Sequence, residues 1–223
     1  MSEKRHAIWY YSVARFYSRP EQKELRRKVL FSEKRNLGRN QARVNDTSKA
    51  ILLRKRKLSD TSLIVVWYAE SLGKIETVAK GARRPGSVFA GKLDLFFECE
   101  IQIRRSRRSN LHTLTEVVLR NPFAGIRAGY LRTQAASYFV ELIEISTELE
   151  HPAAELFHLL QRAFGFLNAH DATLRAVRHF ETELARLAGV HDTAMLQSDP
   201  AAALAGLFGR LPKGRGALLR ALA

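Results

Sequence analysis

The chain of 223 residues carries 37 Lys+Arg against 22 Asp+Glu, a formal net charge of +15, with 46% hydrophobic and 26% charged residues. That length and balance fit one large or two small globular domains and exclude a disordered low-complexity chain. A single cysteine, Cys99, excludes an internal disulfide and a four-thiolate zinc site, and no apolar run approaches the ~20 residues that a bilayer span needs. No charged start followed by an apolar stretch and a small-residue cleavage site is found, so a reducing, cytoplasmic setting is expected. The basic excess favours a polyanionic partner, nucleic acid ahead of an acidic membrane surface.

The charge is unevenly placed. Residues 1–50 hold thirteen Lys/Arg and five Asp/Glu, residues 51–110 thirteen and six, and residues 111–223 eleven of each. Two basic segments and one neutral one read as a binding module joined to a packing or partner module. The division is expected near Asn121-Pro122, because proline lacks an N–H and biases its predecessor away from helix.

Segment 1–48 reads as a basic extension outside the fold. Beyond the Ile8-Trp9-Tyr10-Tyr11 cluster it is mostly polar, with one short amphipathic helix expected at 21–31 from Leu25, Val29 and Leu30. It is either an arm that adds affinity for phosphates, or a loosely ordered extension such as a start assigned too far upstream would produce.

From residue 49 to 120 the pattern becomes five short strands, expected at 50–57, 62–69, 74–81, 93–104 and 111–119. The fourth is the clearest, with Leu93, Leu95, Phe97, Cys99, Ile101 and Ile103 on one face and Asp94, Glu98, Glu100, Gln102 and Arg104 on the other. Cys99 falls on the apolar face and reads as a core residue, not a nucleophile. Glu70-Ser71-Leu72-Gly73 reads as a hairpin turn with Gly73 at positive φ. Five consecutive short strands predict a small barrel of the OB-fold kind, which binds oligonucleotides on strands 2–3 and with the loops joining strands 1–2 and 4–5.

Basic clusters fall on those loops. Arg54, Lys55, Arg56 and Lys57 enter the first, and Arg104, Arg105, Arg107 and Arg108 form the second. Lys80, Arg83, Arg84 and Lys92 lie between strands 3 and 4, among Gly81, Gly86 and Gly91, which permit close approach to phosphate. Trp67 shares a face with Leu63 and Val65 and is assigned to the core. Phe89 and Phe96 are the expected base-stacking residues. No base-reading pattern is present, so backbone-dominated binding with little sequence preference is expected.

Residues 121–223 read as a helical domain. Leu131, Ala135, Tyr138, Leu142, Ile145 and Leu149 follow helical spacing, as do Leu156, Leu160, Ala163, Phe164 and Leu167, and then Leu174, Val177, Phe180, Leu184 and Leu187. Asp171 is the expected N-cap of the third helix and Gly189 its end, Pro152 fits a first turn, and Asp199-Pro200 marks a further start. Arg127, Arg132, Arg162 and Arg175 are available to an acidic peptide. The fold class is therefore α+β, an N-terminal five-stranded OB-fold barrel followed by an all-helical C-terminal domain.

Other chemical signals fail on their context. The segment from Gly209 to Gly216 has the spacing of a phosphate loop but lacks its Lys-Ser/Thr and a preceding strand. Glu155-x-x-His158 is half of a di-iron pattern without the other half. His151, His170, His179 and His191 are irregularly spaced, and Gly-x-Ser-x-Gly is absent. No metal, cofactor or catalytic residue is expected.

One likeness extends these readings. The stretches Ala50-Ile51-Leu52-Leu53-Arg54, Leu58-Ser59-Asp60-Thr61-Ser62-Leu63-Ile64-Val65 and Gly73-Lys74-Ile75-Glu76-Thr77-Val78-Ala79-Lys80-Gly81-Ala82-Arg83-Arg84-Pro85 resemble the RecO recombination-mediator family. Gly91-Lys92-Leu93, Leu114-Thr115-Glu116 and Ala136-Ser137-Tyr138-Phe139-Val140-Glu141-Leu142 continue the likeness, over residues 50–190. It implies an OB domain and a helical domain in a bacterial cytoplasmic, nucleoid-associated protein that binds single- and double-stranded DNA and anneals strands. It further implies action with RecR to load RecA onto DNA coated by single-strand-binding protein, whose acidic C-terminal tail docks on the helical domain, without bond-breaking catalysis. Many members carry a four-cysteine zinc knuckle where this chain has His191-Asp192-Thr193-Ala194-Met195, so the zinc site is missing here. The residues alone leave open a basic OB-fold RNA-binding protein and an enzyme sited in the helical half.

Overall fold

A computed structural model describes residues 45–190 and 199–223. The readings at 1–44 and 191–198, including the basic arm, the helix at 21–31 and the segment around His191, lie outside the described residues.

Five strands, β1 (Asn45–Lys57), β2 (Leu63–Ala69), β3 (Gly73–Ala79), β4 (Glu98–Arg104) and β5 (Leu111–Asn121), close into a barrel in the order β1-β2-β3-β5-β4. β3 and β5 pair in parallel and the other neighbours antiparallel, with β4 returning to β1. Ala50, Leu52, Val65, Trp67, Ile75, Cys99, Ile101 and Ile103 fill the interior. The Trp67 indole N–H donates to Thr77 Oγ1 at 2.9 Å, which satisfies a polar atom that burial would otherwise penalise.

The alternate residues of the same strands are buried too. Ile51, Leu53, Val66 and Tyr68 point out of the barrel into a second core shared with the helices. β2 is thereby covered on both sides, which is why its sequence is an unbroken apolar run. A 3-10 turn (Ala124–Ala128) leads into helices α1 (Tyr130–Ser146), α2 (Ala154–Ala169), α3 (Leu174–Leu187), α4 (Pro200–Phe208) and α5 (Arg215–Leu222). Phe139 of α1 stacks on Phe180 of α3 at 4.1 Å, and Phe164 of α2 meets Phe96 and Phe123 edge-on.

The start of β3 meets the end of α1 and the connection that follows it. Lys74 donates to the Glu144 and Thr147 carbonyl oxygens at 2.7 and 2.5 Å, closing the C-terminal end of α1 with a cation. Gly73 turns at φ 71° beneath His151, whose carbonyl oxygen would lie 2.3 Å from a Cβ at that position.

Several local expectations are corrected. β1 begins at Asn45, ahead of the predicted 50: its polar first residues pair with β4 from Arg104 to Glu98, and that partner outweighs their low strand propensity. β4 begins at Glu98, not 93, because Phe96 takes φ 70° and the kink carries its ring out of the barrel into the helical core. The N-cap of α3 is Thr173, whose hydroxyl accepts from the Ala176 N–H, while Asp171 pairs with Arg132 at 2.8 Å. Pro152 precedes the Ala153 N-cap of α2, and Leu149 lies beyond the end of α1. Asp199 caps α4 with Pro200 in its first turn, as the spacing predicts. Gly209 ends α4 at φ 77°, so the glycine-flanked segment is a helix-to-helix turn.

Candidate nucleic-acid interface

The barrel ladder sends the two predicted basic loops to opposite ends. Lys57 lies opposite Leu63 at one end of β1, and Asn45 opposite Arg104 at the other. The outer face of β2 that joins them is packed on the helices, so the open cationic surface consists of the loops and the strand ends beside them.

At the β1–β2 end two loops are stitched together. The Arg83 backbone N–H donates to Thr61 O at 3.0 Å, its guanidinium to Ser59 O and Asp60 O at 3.3 and 3.2 Å, and the Gly81 N–H to Ser62 Oγ at 3.4 Å. Lys55 holds Asp94 at 2.7 Å and the Leu93 carbonyl at 3.0 Å, and Lys57 holds Asp60 at 2.6 Å. Burial alone would push the Asp94 carboxyl up, but the Lys55 hydrogen bond, the Leu95 N–H and nearby Arg127 hold it below the usual carboxylate range. Arg54 pairs with Glu144 on α1, whose hydrogen bond and charge raise the guanidinium pKa further. Arg54, Lys55, Lys57 and Arg83 are therefore spent on the fold. Arg56, Lys80, Arg84 and Lys92 have no side-chain partner among the described residues, and the first three are exposed.

At the β4–β5 end the loop is built by serines. Ser106 Oγ accepts from the Arg108 N–H and Ser109 Oγ from the Leu111 N–H, so the turn closes on its own side chains. Ser106 N–H also donates to Nδ1 of buried His112 at 3.2 Å, whose Nε2 lies 3.2 Å from Glu150. Glu150 stands at φ 60° in the α1–α2 connection and also receives Arg105 at 3.0 Å, while Arg105 reaches Asp46 at 2.5 Å. Arg105 is thus an anchor. Arg107 and Arg108 are exposed, and Arg104, half-buried, has no ion-pair partner among the described residues.

The expected stacking aromatics are not available. Phe89 is 6% exposed within the barrel core and Phe96 is 4% exposed against Phe164. Trp67 is buried, as its strand face predicts. Cys99 is buried and its thiol is pushed up to about 12 by burial, which leaves it protonated and unreactive at neutral pH.

The helical half holds a second feature beyond the basic loops. A cavity of about 590 Å³ opens between α2 and α3, floored by Phe139, Leu159, Phe166 and Phe180 and flanked by Arg162 and Arg175. Both arginines are exposed and lack an ion-pair partner among the described residues, whereas Arg127 is engaged with Asp94 and the Leu95 carbonyl, and Arg132 with Asp171. Leu159, Arg162, Ala163 and Phe166 recur at i, i+3, i+4 and i+7 on α2, the signal from which it was legible. No described helix is long and apolar enough to cross a membrane.

A closed five-stranded barrel with this strand order, followed by helices packed on its outer face, defines an OB-fold protein with an appended helical domain. The chain belongs to the RecO family: the family model described as Recombination protein O N terminal matches residues 44–123, and the corresponding C-terminal model matches residues 127–191. It is 34% identical over 140 residues to the DNA repair protein RecO of Rhodopirellula baltica, covering 63% of this chain and 52% of that protein. It is 31% identical over 147 residues to the RecO of Syntrophus aciditrophicus, covering 66% and 57%. The RecO of Salinibacter ruber is 30% identical over 144 residues, covering 64% and 55%. The chain thus spans little more than half the length of the relatives it matches.

Proposed function

We propose that this chain is a non-enzymatic, DNA-binding recombination mediator of the bacterial cytoplasm, acting on the nucleoid. It binds single- and double-stranded DNA through the loops at both barrel ends, anneals complementary strands, and helps load RecA, with RecR, onto DNA coated by single-strand-binding protein. The observation that carries this reading is the division among the barrel's cations. One set is consumed by Glu144, Asp94, Asp60, Asp46 and Glu150 in building the loops, and Arg56, Lys80, Arg84, Lys92, Arg104 and Arg108 have no acidic partner among the described residues and are left for phosphate. With Phe89 and Phe96 buried, affinity rests on the backbone and carries little sequence preference. The cavity flanked by Arg162 and Arg175 suits an acidic peptide ending in apolar residues, the chemistry of the single-strand-binding-protein tail.

The test measures single-strand binding and annealing against salt for the chain and for the combined reversal Lys80→Glu, Arg84→Glu, Arg104→Glu and Arg108→Glu. Binding is expected to weaken with salt at a slope of about −0.7 per phosphate neutralised, with both affinity and slope reduced in the variant. Unchanged affinity, or stronger binding to a matched RNA than to DNA, would overturn the reading.

A further inference from the structure

A groove of about 1020 Å³ runs along the junction of barrel and helices, bounded by β1, α1 and the turn between α4 and α5. Its lining includes Leu53, Leu95, Val140, Leu149, Leu211 and Pro212, so its floor is largely apolar. Among the described residues five cations face it, Arg54, Arg56, Lys74, Arg210 and Lys213, against three carboxylates, Glu76, Glu141 and Glu144. Arg54 neutralises Glu144, and Lys74 is occupied by two backbone carbonyls. Arg56 from the barrel, and Arg210 and Lys213 from the turn, are exposed and carry no side-chain partner among the described residues.

The turn is the glycine-flanked segment rejected above as a nucleotide loop, and its position is fixed from its far side. Arg215, two residues beyond Lys213, donates to both oxygens of Glu181 at 2.6 and 3.0 Å, and Glu181 has no exposed surface. The third hydrogen bond to that carboxylate comes from Tyr138, on α1, the helix that also lines the groove through Ser137 and Val140. The buried triad thereby ties the basic turn to the groove wall.

We infer that this groove is a second track for single-stranded DNA, in which Arg210 and Lys213 of the C-terminal turn act with Arg56 of the barrel on the phosphates while unstacked bases lie on the apolar floor. A cationic groove that tracks the backbone is what single-strand binding uses, and here the floor beneath the cations is mostly aliphatic, so it offers the bases apolar contact in place of an aromatic platform. The track is continuous with the β1–β2 end, since Arg56 belongs to both. It rests on the DNA-binding reading above and extends it from the barrel to the C-terminal helices.

The experiment titrates a fluorescein-labelled oligothymidylate, across a salt series, with three charge-reversed proteins. Arg210→Glu with Lys213→Glu is expected to weaken binding about tenfold and to lower the salt slope by about 1.4, two phosphate contacts' worth. Arg178→Glu with Arg220→Glu, equal in charge but outside groove and loops, controls for net charge and is expected to leave the slope unchanged. The loop reversal described under the proposed function is the third. If the loop reversal weakens binding and the turn reversal does no more than the control, the groove is not a DNA track and the DNA-binding reading stands. If neither weakens binding, both readings fall. Arg215 is untouched in every variant, so the triad that anchors the turn is preserved.

Discussion

Arg215 and Glu181 form a two-pronged ion pair in which the carboxylate has no exposed surface and its remaining hydrogen bond comes from the Tyr138 hydroxyl at 2.5 Å. Burial, followed by the hydrogen bond and charge of Glu181, raises the Tyr138 pKa, and the Glu181 hydrogen bond raises that of Arg215, so phenol and guanidinium both stay protonated throughout the working range. The three residues come from α1, α3 and α5, so one carboxylate joins three helices. Glu181→Ala leaves Arg215 without its partner and is expected to destabilise the chain by roughly 3–5 kcal/mol in urea unfolding. The triple change Tyr138→Phe, Glu181→Leu, Arg215→Leu removes every polar member at once and is expected to recover most of that loss. A small effect of Glu181→Ala would mean that α5 docks by its apolar face alone.

The hairpin between β2 and β3 makes a second sharp prediction. Gly73 combines φ 71° with backbone of His151 at the position of a side chain. Alanine there meets both a left-handed conformation, costing ~1–2 kcal/mol, and a collision that only movement of the α1–α2 connection relieves. Gly73→Ala is expected to lower the melting temperature by more than Gly86→Ala, where φ is 70° but the space is open. Equal losses at the two glycines would show that conformation alone matters.

These contrasts explain what was legible in the sequence. The barrel interior was readable because Cys99, Ile101 and Ile103 alternate with polar residues, and helices α1 to α3 because their apolar positions recur at helical spacing. Position 96 was not readable, since a phenylalanine on the polar face of an alternating run looks like an exposed stacker. Only Phe164, more than sixty positions further on, shows why the chain kinks to bury it. The same limit applies to the cations. Nothing local separates Arg83, which caps the carbonyls of Ser59 and Asp60, from its neighbour Arg84, which caps nothing among the described residues. Composition locates a basic loop, and only the folded neighbours decide which of its charges are spent.

That difference is measurable within one dipeptide. Arg83→Ala removes two hydrogen bonds between the loops and is expected to cost about 1–2 kcal/mol of stability, loosening the 80–92 connection in hydrogen exchange. Arg84→Ala is expected to leave stability within about 0.5 kcal/mol and to lower the salt slope of single-strand binding by about 0.7. The opposite pattern would reverse the assignment of structural and phosphate-facing arginines at this end.

Cys99 reports on the barrel interior through pH. Burial raises its thiol from 9.0 to about 12, so between those values the unfolded chain has released a proton that the folded chain retains. Stability must therefore fall as pH rises through that window. The difference in unfolding free energy between the natural chain and Cys99→Ala is expected to shrink on going from pH 8 to pH 11, roughly one pH unit below the buried thiol. A disulfide-exchange reagent at pH 8 is expected to leave the folded protein unmodified and to react fully in urea. Rapid modification of the folded chain would place the thiol at the surface.

The cavity between α2 and α3 carries the last prediction. Its floor joins Phe139 and Phe180, stacked at 4.1 Å, to Phe166, 40% exposed and stacked on His170 at 4.8 Å, so an incoming apolar side chain finds aromatic surface already in place. Arg162 and Arg175 flank that floor without acidic partners among the described residues, and so supply charge to a ligand. A synthetic peptide with several aspartates followed by two apolar residues and a free carboxylate is expected to bind there. Arg162→Glu with Arg175→Glu is expected to weaken that peptide more than thirtyfold by isothermal titration, since each charged hydrogen bond lost contributes ~1.5–3 kcal/mol. The same variant is expected to keep its affinity for the oligothymidylate, because neither arginine lies on the barrel loops or the groove. Loss of both activities together would mean that one surface serves both ligands, and retention of peptide binding would remove the cavity from consideration as the docking site.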